Sequence, residues 1–122
     1  MNKPWYSLSN VSVSDDKKVT ANVIVPAESS WFSGHFPGEP ILPGIAQLSM
    51  IFDLINQCYY NNTKQLKISS LKKVRFKFLV KPEDLLEIKL HSADKPENTF
   101  SFKITKGDET ACSGFITVEN TI

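Results

Sequence analysis

The stretch Trp31-Phe32-Ser33-Gly34-His35-Phe36-Pro37-Gly38-Glu39-Pro40-Ile41-Leu42-Pro43-Gly44 runs directly into Ile45-Ala46-Gln47-Leu48-Ser49-Met50-Ile51-Phe52-Asp53-Leu54-Ile55-Asn56-Gln57-Cys58-Tyr59-Tyr60. The first half cannot be regular structure. Pro37, Pro40 and Pro43 each fix φ and remove a backbone donor, and the glycines between them restore the freedom to turn. The second half is periodic. Apolar residues recur at Ile45, Leu48, Ile51/Phe52, Ile55 and Tyr59, the three-or-four spacing of one helix face. The spacing predicts a helix of roughly 17 residues, about 25 Å long. No other stretch offers one as long, so the remaining elements are expected to pack around it.

On the N-terminal side, Tyr6, Leu8, Val11 and Val13 alternate in part and predict a short first strand. Asp15-Asp16-Lys17-Lys18 is a polar turn. Val19, Ala21, Val23 and Val25 then share one face against Thr20, Asn22 and Ile24, which completes a hairpin. On the C-terminal side, Asn61-Asn62-Thr63 stops the helix. Leu66 and Ile68, then Leu71, Val74, Phe76, Phe78 and Val80, read as strand, with a change of phase at Ser69-Ser70 that marks a bulge or bend. Leu86, Ile88 and Leu90 alternate with Glu87, Lys89 and His91, and Phe100, Phe102 and Ile104 alternate with Ser101, Lys103 and Thr105. Ala111 to Val118 follows the tight turn Lys106-Gly107-Asp108-Glu109. One helix among five or six antiparallel strands is an α+β arrangement in a single domain, 1–122.

The totals narrow the function. A chain of 122 residues buries enough surface for a core without disulfides or metal. A net charge of +1 gives no general pull toward nucleic acid or membrane. Cys58 and Cys112 form no metal-ligand pattern, and are expected to be reduced thiols in a cytoplasmic protein. No stretch is apolar for long enough to span a bilayer, and Met1-Asn2-Lys3-Pro4-Trp5-Tyr6 does not read as a secretion signal. Neither a metal nor a cofactor is expected.

Gly34-His35-Phe36-Pro37-Gly38-Glu39-Pro40-Ile41-Leu42-Pro43-Gly44 resembles the active-site signature of the 3-hydroxyacyl-[acyl-carrier-protein] dehydratases. The continuation Gln47-Leu48 is similar to the branch associated with aryl polyene clusters. Phe76-Lys77-Phe78-Leu79-Val80-Lys81-Pro82-Glu83-Asp84-Leu85-Leu86 resembles the family's second landmark, a strand followed by Val-x-Pro-Gly-Asp-x-Leu. The resemblance covers nearly the whole chain. It implies the hotdog fold, a sheet wrapped around one helix, and removal of water from 3-hydroxyacyl thioesters in fatty acid or polyene-type lipid synthesis. The substrate would be carried on acyl carrier protein or coenzyme A.

That reaction needs a base for the proton beside the carbonyl, donors for the charge growing on the thioester oxygen, and an acid for the departing hydroxyl. The resemblance assigns the base to His35, whose side chain titrates near neutrality; taken alone, a loop histidine more often satisfies a hydrogen bond. Gly44 opens the helix, where the orphan amides and the dipole favour an oxyanion, and it equally serves as a plain helix start. Phe36 beside the histidine and Pro43 ahead of Gly44 are further substrate-binding candidates. The acid departs from the pattern. The family carries Glu or Asp fourteen positions after the histidine, and this chain has Ser49 there. The nearest carboxylate is Asp53, one turn on and on the same face, able to act through Ser49 or a water, or only to cap a polar stripe.

Two further features follow. Val74, Phe76 and Phe78 are expected to face the core, which would set Lys73, Arg75 and Lys77 outward as a ridge for an acidic carrier protein, or as an ordinary solvated face. The family builds each site across a dimer. A homodimer or higher homo-oligomer is therefore expected. A heterodimer is the alternative, in which this chain is a non-catalytic or half-site subunit whose partner supplies the carboxylate. A hotdog thioesterase ranks third, because the His-Phe-Pro loop would be an odd feature for it.

Overall fold

Strand β1 (Ser7–Val13) and strand β2 (Lys18–Ile24) form an antiparallel hairpin at one edge of the molecule. The computed structural model describes residues 5–32, 41–93 and 97–121. After a single turn of 3₁₀ helix at Ser30–Phe32, helix α1 (Gly44–Tyr60) runs for 17 residues. Four more strands follow: β3 (Leu66–Phe76), β4 (Leu85–Ser92), β5 (Thr99–Lys106) and β6 (Glu109–Asn120). They make one six-stranded sheet in the order β1-β2-β4-β5-β6-β3, with every pair antiparallel.

The chain leaves β2 near one edge of the sheet and re-enters it as β3 at the other, four strand positions away. Helix α1 lies in this crossover. It begins beside β3, with Gly44 against the Phe76 ring, and its last turn reaches back to β2 and β5, where Tyr59 donates to the Lys17 carbonyl and packs on Phe100. The hotdog arrangement expected from the sequence is therefore present, with six strands. Asn61 ends the helix in the left-handed conformation at φ 52, and its amide caps the Asn56 carbonyl. Asparagine tolerates that conformation better than most residues.

Strict alternation supplies the core. Val19, Ala21 and Val23 of β2, Leu86, Ile88 and Leu90 of β4, Phe100, Phe102 and Ile104 of β5, and Cys112, Ile116 and Val118 of β6 are buried on one face. Helix α1 presses Ala46, Gln47, Leu48, Met50, Ile51, Leu54 and Ile55 into that face. The stripe that periodicity suggested is largely buried, at Leu48, Ile51 and Ile55, and Ala46, Met50 and Leu54 widen it. Its first member departs: Ile45 is 65% exposed, while the polar Gln47 is buried.

Strand β3 departs further from expectation. It ends at Phe76, so Phe78 and Val80 are not part of it. Its register with β6 slips twice, between Ile68 and Ser70 and again between Lys72 and Arg75. The first slip is where Ser69-Ser70 broke the pattern. At the second, Lys73 takes a positive φ of 54, an uncommon conformation for lysine that the bulge imposes. Alternation fails beyond it: Phe76 and Phe78 do not face the core but are about half exposed, at 50% and 47%.

The bulge also explains Gly114, opposite it on β6. A Cβ at Gly114 would lie 2.9 Å from the backbone Cα of Val74 and 2.9 Å from its Cγ2. Because backbone must move to make room, Gly114→Ala is expected to destabilise the fold by about 1–3 kcal/mol. Chemical denaturation of the two proteins checks this, with a lower midpoint and an unchanged slope as the expected outcome.

Candidate active site

Pro43 precedes α1 in an extended conformation, φ −62 and ψ 153, and no side chain caps the helix start. The Pro43 carbonyl accepts from the amides of Ala46 and Gln47 at 3.1 and 3.2 Å. The amides of Gly44 and Ile45 come earlier in the first turn and have no intrahelical acceptor. A groove of about 380 Å³ lies at this end, walled by Ile41, Leu42, Pro43, Gly44, Gln47, Phe76, Phe78 and Leu79. It is an apolar channel that meets the positive end of a helix dipole, the arrangement an oxyanion requires. The Phe76 ring covers Gly44 so closely that a Cβ there would come within 2.7 Å of its Cζ. Glycine is thus the residue that leaves room for the ring.

The outward face of α1 carries Ile45, Ser49 and Asp53 at successive turns, with Phe52 beside them. Ser49 is half-buried and lines a second groove of about 410 Å³ with Trp31, Ile45, Leu48, Phe52, Leu66, Lys67 and Ile68. Asp53 sits one turn farther along and accepts a hydrogen bond at 3.1 Å from the Tyr6 hydroxyl. As a residue Asp53 is exposed, yet partial burial of its carboxyl raises its pKa above the ordinary aspartate value, against a smaller lowering by the Tyr6 hydrogen bond. The Tyr6 phenol is pushed up in turn, by its own burial first and then by the neighbouring carboxylate.

Gln47 is 3% exposed. Its Nε2 donates to the Leu42 carbonyl at 3.4 Å, and its Oε1 has no partner among the described residues. Lys73, Arg75 and Lys77 are all exposed, on β3 and just past its end. The register slip between Lys72 and Arg75 falls within this group. His35 and Phe36 lie outside the described residues. Burial raises the thiol pKa of both cysteines, Cys112 to about 12, so neither is an activated nucleophile. Among the described residues no helix is long and apolar enough to cross a membrane.

Sequence reasoning placed Gly44, Ser49 and Asp53 on one helix and missed Tyr6. No local pattern links a tyrosine ahead of the first strand with a carboxylate 47 residues later. The aromatic pair Trp5-Tyr6 was the available signal, because two large rings beside a polar strand need something to pack against.

The model of the ApeI-like family, described as ApeI dehydratase, matches residues 11–115. The chain is 32% identical over 107 residues to the 3-hydroxyacyl-[acyl-carrier-protein] dehydratase FabZ of Lactiplantibacillus plantarum, covering 81% of this chain and 70% of that protein. It is 29% identical over 114 residues to the protein of the same name from Petrotoga mobilis, covering 90% of this chain and 82% of that one. Among solved structures, a chain of the dehydratase heterocomplex ApeI:P from Xenorhabdus doucetiae superposes with a TM-score of 0.80 at 24% identity, covering 92% of this chain and 96% of that one. A hypothetical thioesterase from Streptococcus pneumoniae superposes at 0.66 with 16% identity, covering 95% and 85%. Both structural matches speak to the fold.

The raised pKa of Asp53 gives a sign for stability. A carboxyl whose folded-state pKa exceeds its unfolded value contributes stability that is present at low pH and lost as pH rises through the folded value. Asp53→Asn keeps the neutral form at every pH. The variant is therefore expected to melt at or above the temperature of the unmodified protein at pH 7, with the difference vanishing below the ordinary aspartate pKa. Melting curves across that range check it.

Proposed function

This chain belongs to the ApeI-like dehydratase family, and on that premise we propose that it removes water from 3-hydroxyacyl thioesters held on acyl carrier protein. The observation that carries the reading is a helix opening on Gly44 at the end of an apolar groove, in a chain that keeps the family's His-Phe-Pro loop. Gly44 receives the thioester oxygen at the helix start. His35 takes a proton from C2. The C3–O bond breaks, the C2–C3 double bond forms, and the hydroxyl leaves as water with a proton from the Asp53 carboxyl. The His35 proton then returns to that carboxylate through solvent. Burial favours the protonated form of Asp53, which suits it to donate.

Distance supports an acid supplied by a second chain. Asp53 is nine residues beyond Gly44, about 13 Å along the helix axis. A substrate carbonyl and its 3-hydroxyl are only a few bonds apart, so one substrate cannot reach both groups of the same helix. The reading therefore requires two subunits, with Gly44 and Asp53 of one chain serving different sites. Strand β3 supplies the surface for pairing. It is an edge strand with unpaired backbone groups, and it exposes Ile68, Leu71 and Phe76.

Ser49 at the family's carboxylate position supports a second reading. The chain would be one half of a heterodimer whose partner carries that carboxylate, as the name of the Xenorhabdus doucetiae heterocomplex invites. The same measurement separates the two. The purified protein alone is expected to hydrate a short enoyl thioester, read as loss of the conjugated absorbance, and His35→Ala should slow it by roughly 10²–10⁴-fold. A protein inactive alone on both carriers that gains activity with a second hotdog subunit would support the half-site reading instead. Pairing is tested separately. Leu71→Glu, at an exposed position of β3, is expected to shift the protein from dimer to folded monomer in sedimentation velocity.

A further inference from the structure

Tyr6 has no part in the reaction so far, yet it makes the one side-chain contact recorded for Asp53 among the described residues. It is also held in place. Trp5 meets Tyr6 edge-on, with centroids 4.8 Å apart and planes at 73°, and Trp5 in turn meets Trp31 at 5.7 Å and 65°. Trp31 is a wall of the groove that Ser49 lines. Three rings thus clamp the segment ahead of β1 over the outward face of α1, with the phenol hydroxyl on the carboxylate.

We propose that Tyr6 is the positioning residue for Asp53: its hydroxyl holds Oδ2, fixes the carboxyl rotamer, and leaves Oδ1 to carry the proton given to the departing hydroxyl. The proposal rests on the reading of Asp53 as the acid. The geometry gives it a purpose. Asp53 stands one turn beyond Ser49, the position where the family carries its acid, so its carboxyl must be aimed back along the helix. An exposed aspartate is free to rotate, and a hydrogen bond from a clamped phenol removes that freedom. Among the described residues Tyr6 is the titratable group that meets Asp53, so a change in the titration of Asp53 reports on this bond.

Tyr6→Phe removes the hydroxyl and keeps the ring stacked on Trp5. The expected result is a melting temperature close to that of the unmodified protein, kcat lower by about tenfold, and the alkaline limb of the pH–rate profile moved to higher pH. The direction follows from the tyrosine hydrogen bond, which favours the ionised carboxylate. The ¹³C carboxyl resonance of Asp53, titrated in both proteins, should show the same upward displacement without turnover. Tyr60→Phe, which removes a phenol hydroxyl bonded to Asn98 rather than to Asp53, should move neither profile. An unchanged pH profile and an unchanged carboxyl titration in Tyr6→Phe, beside an inactive Asp53→Asn, would overturn the role of Tyr6 and leave Asp53 as the acid. A fully active Asp53→Asn would overturn both.

Discussion

The burial of one face of α1 governs everything else in this molecule. Ala46, Met50, Ile51, Leu54 and Ile55 are each almost wholly removed from solvent by the sheet. Burying the four larger side chains, Met50, Ile51, Leu54 and Ile55, is worth about 1.5–3 kcal/mol apiece before entropy is counted. That contact fixes the rotation of the helix, and the rotation decides what remains for chemistry. Ile45, Ser49 and Asp53 are turned away from the core because their neighbours in sequence are turned into it. It also fixes the position of the helix start. Gly44 sits beneath the ring of Phe76, the last residue of β3.

On the proposed reading, one chain does not complete the site. A straight helix separates its first amides from Asp53 in its third turn by more than a 3-hydroxyacyl unit can span. The same construction leaves β3 as an edge strand with half-exposed apolar residues, which a second subunit would cover.

Much of this was legible in the sequence because alternation and helical spacing are direct consequences of burial. The faces of β2, β4 and β5, the length of α1 and the stop at Asn61 all follow from such patterns. So did the first slip in β3, since Ser69-Ser70 breaks an otherwise regular alternation. The second slip was hidden. Nothing in Lys72-Lys73-Val74 announces a residue at positive φ, and without it Phe76 and Phe78 were assigned to the core. On α1 the expected stripe holds at Leu48, Ile51 and Ile55, while Ile45 is exposed beside Ser49 in one groove and Gln47 is buried in the wall of the other. At the site, Gly44, Ser49 and Asp53 could be placed by counting along one element. Tyr6 could not, because its contact with Asp53 joins segments that no local period connects.

The central claim is that the base and the acid of each site come from different chains. Mixing His35→Ala with Asp53→Asn, after unfolding and refolding the two variants together, tests it most directly. Each variant alone should be inactive. In a two-fold symmetric dimer with shared sites, a mixed pair carries one site with both native residues, so the mixture should regain roughly a quarter of the native rate. A mixture as inactive as its components, in protein shown to have exchanged subunits, would contradict the account.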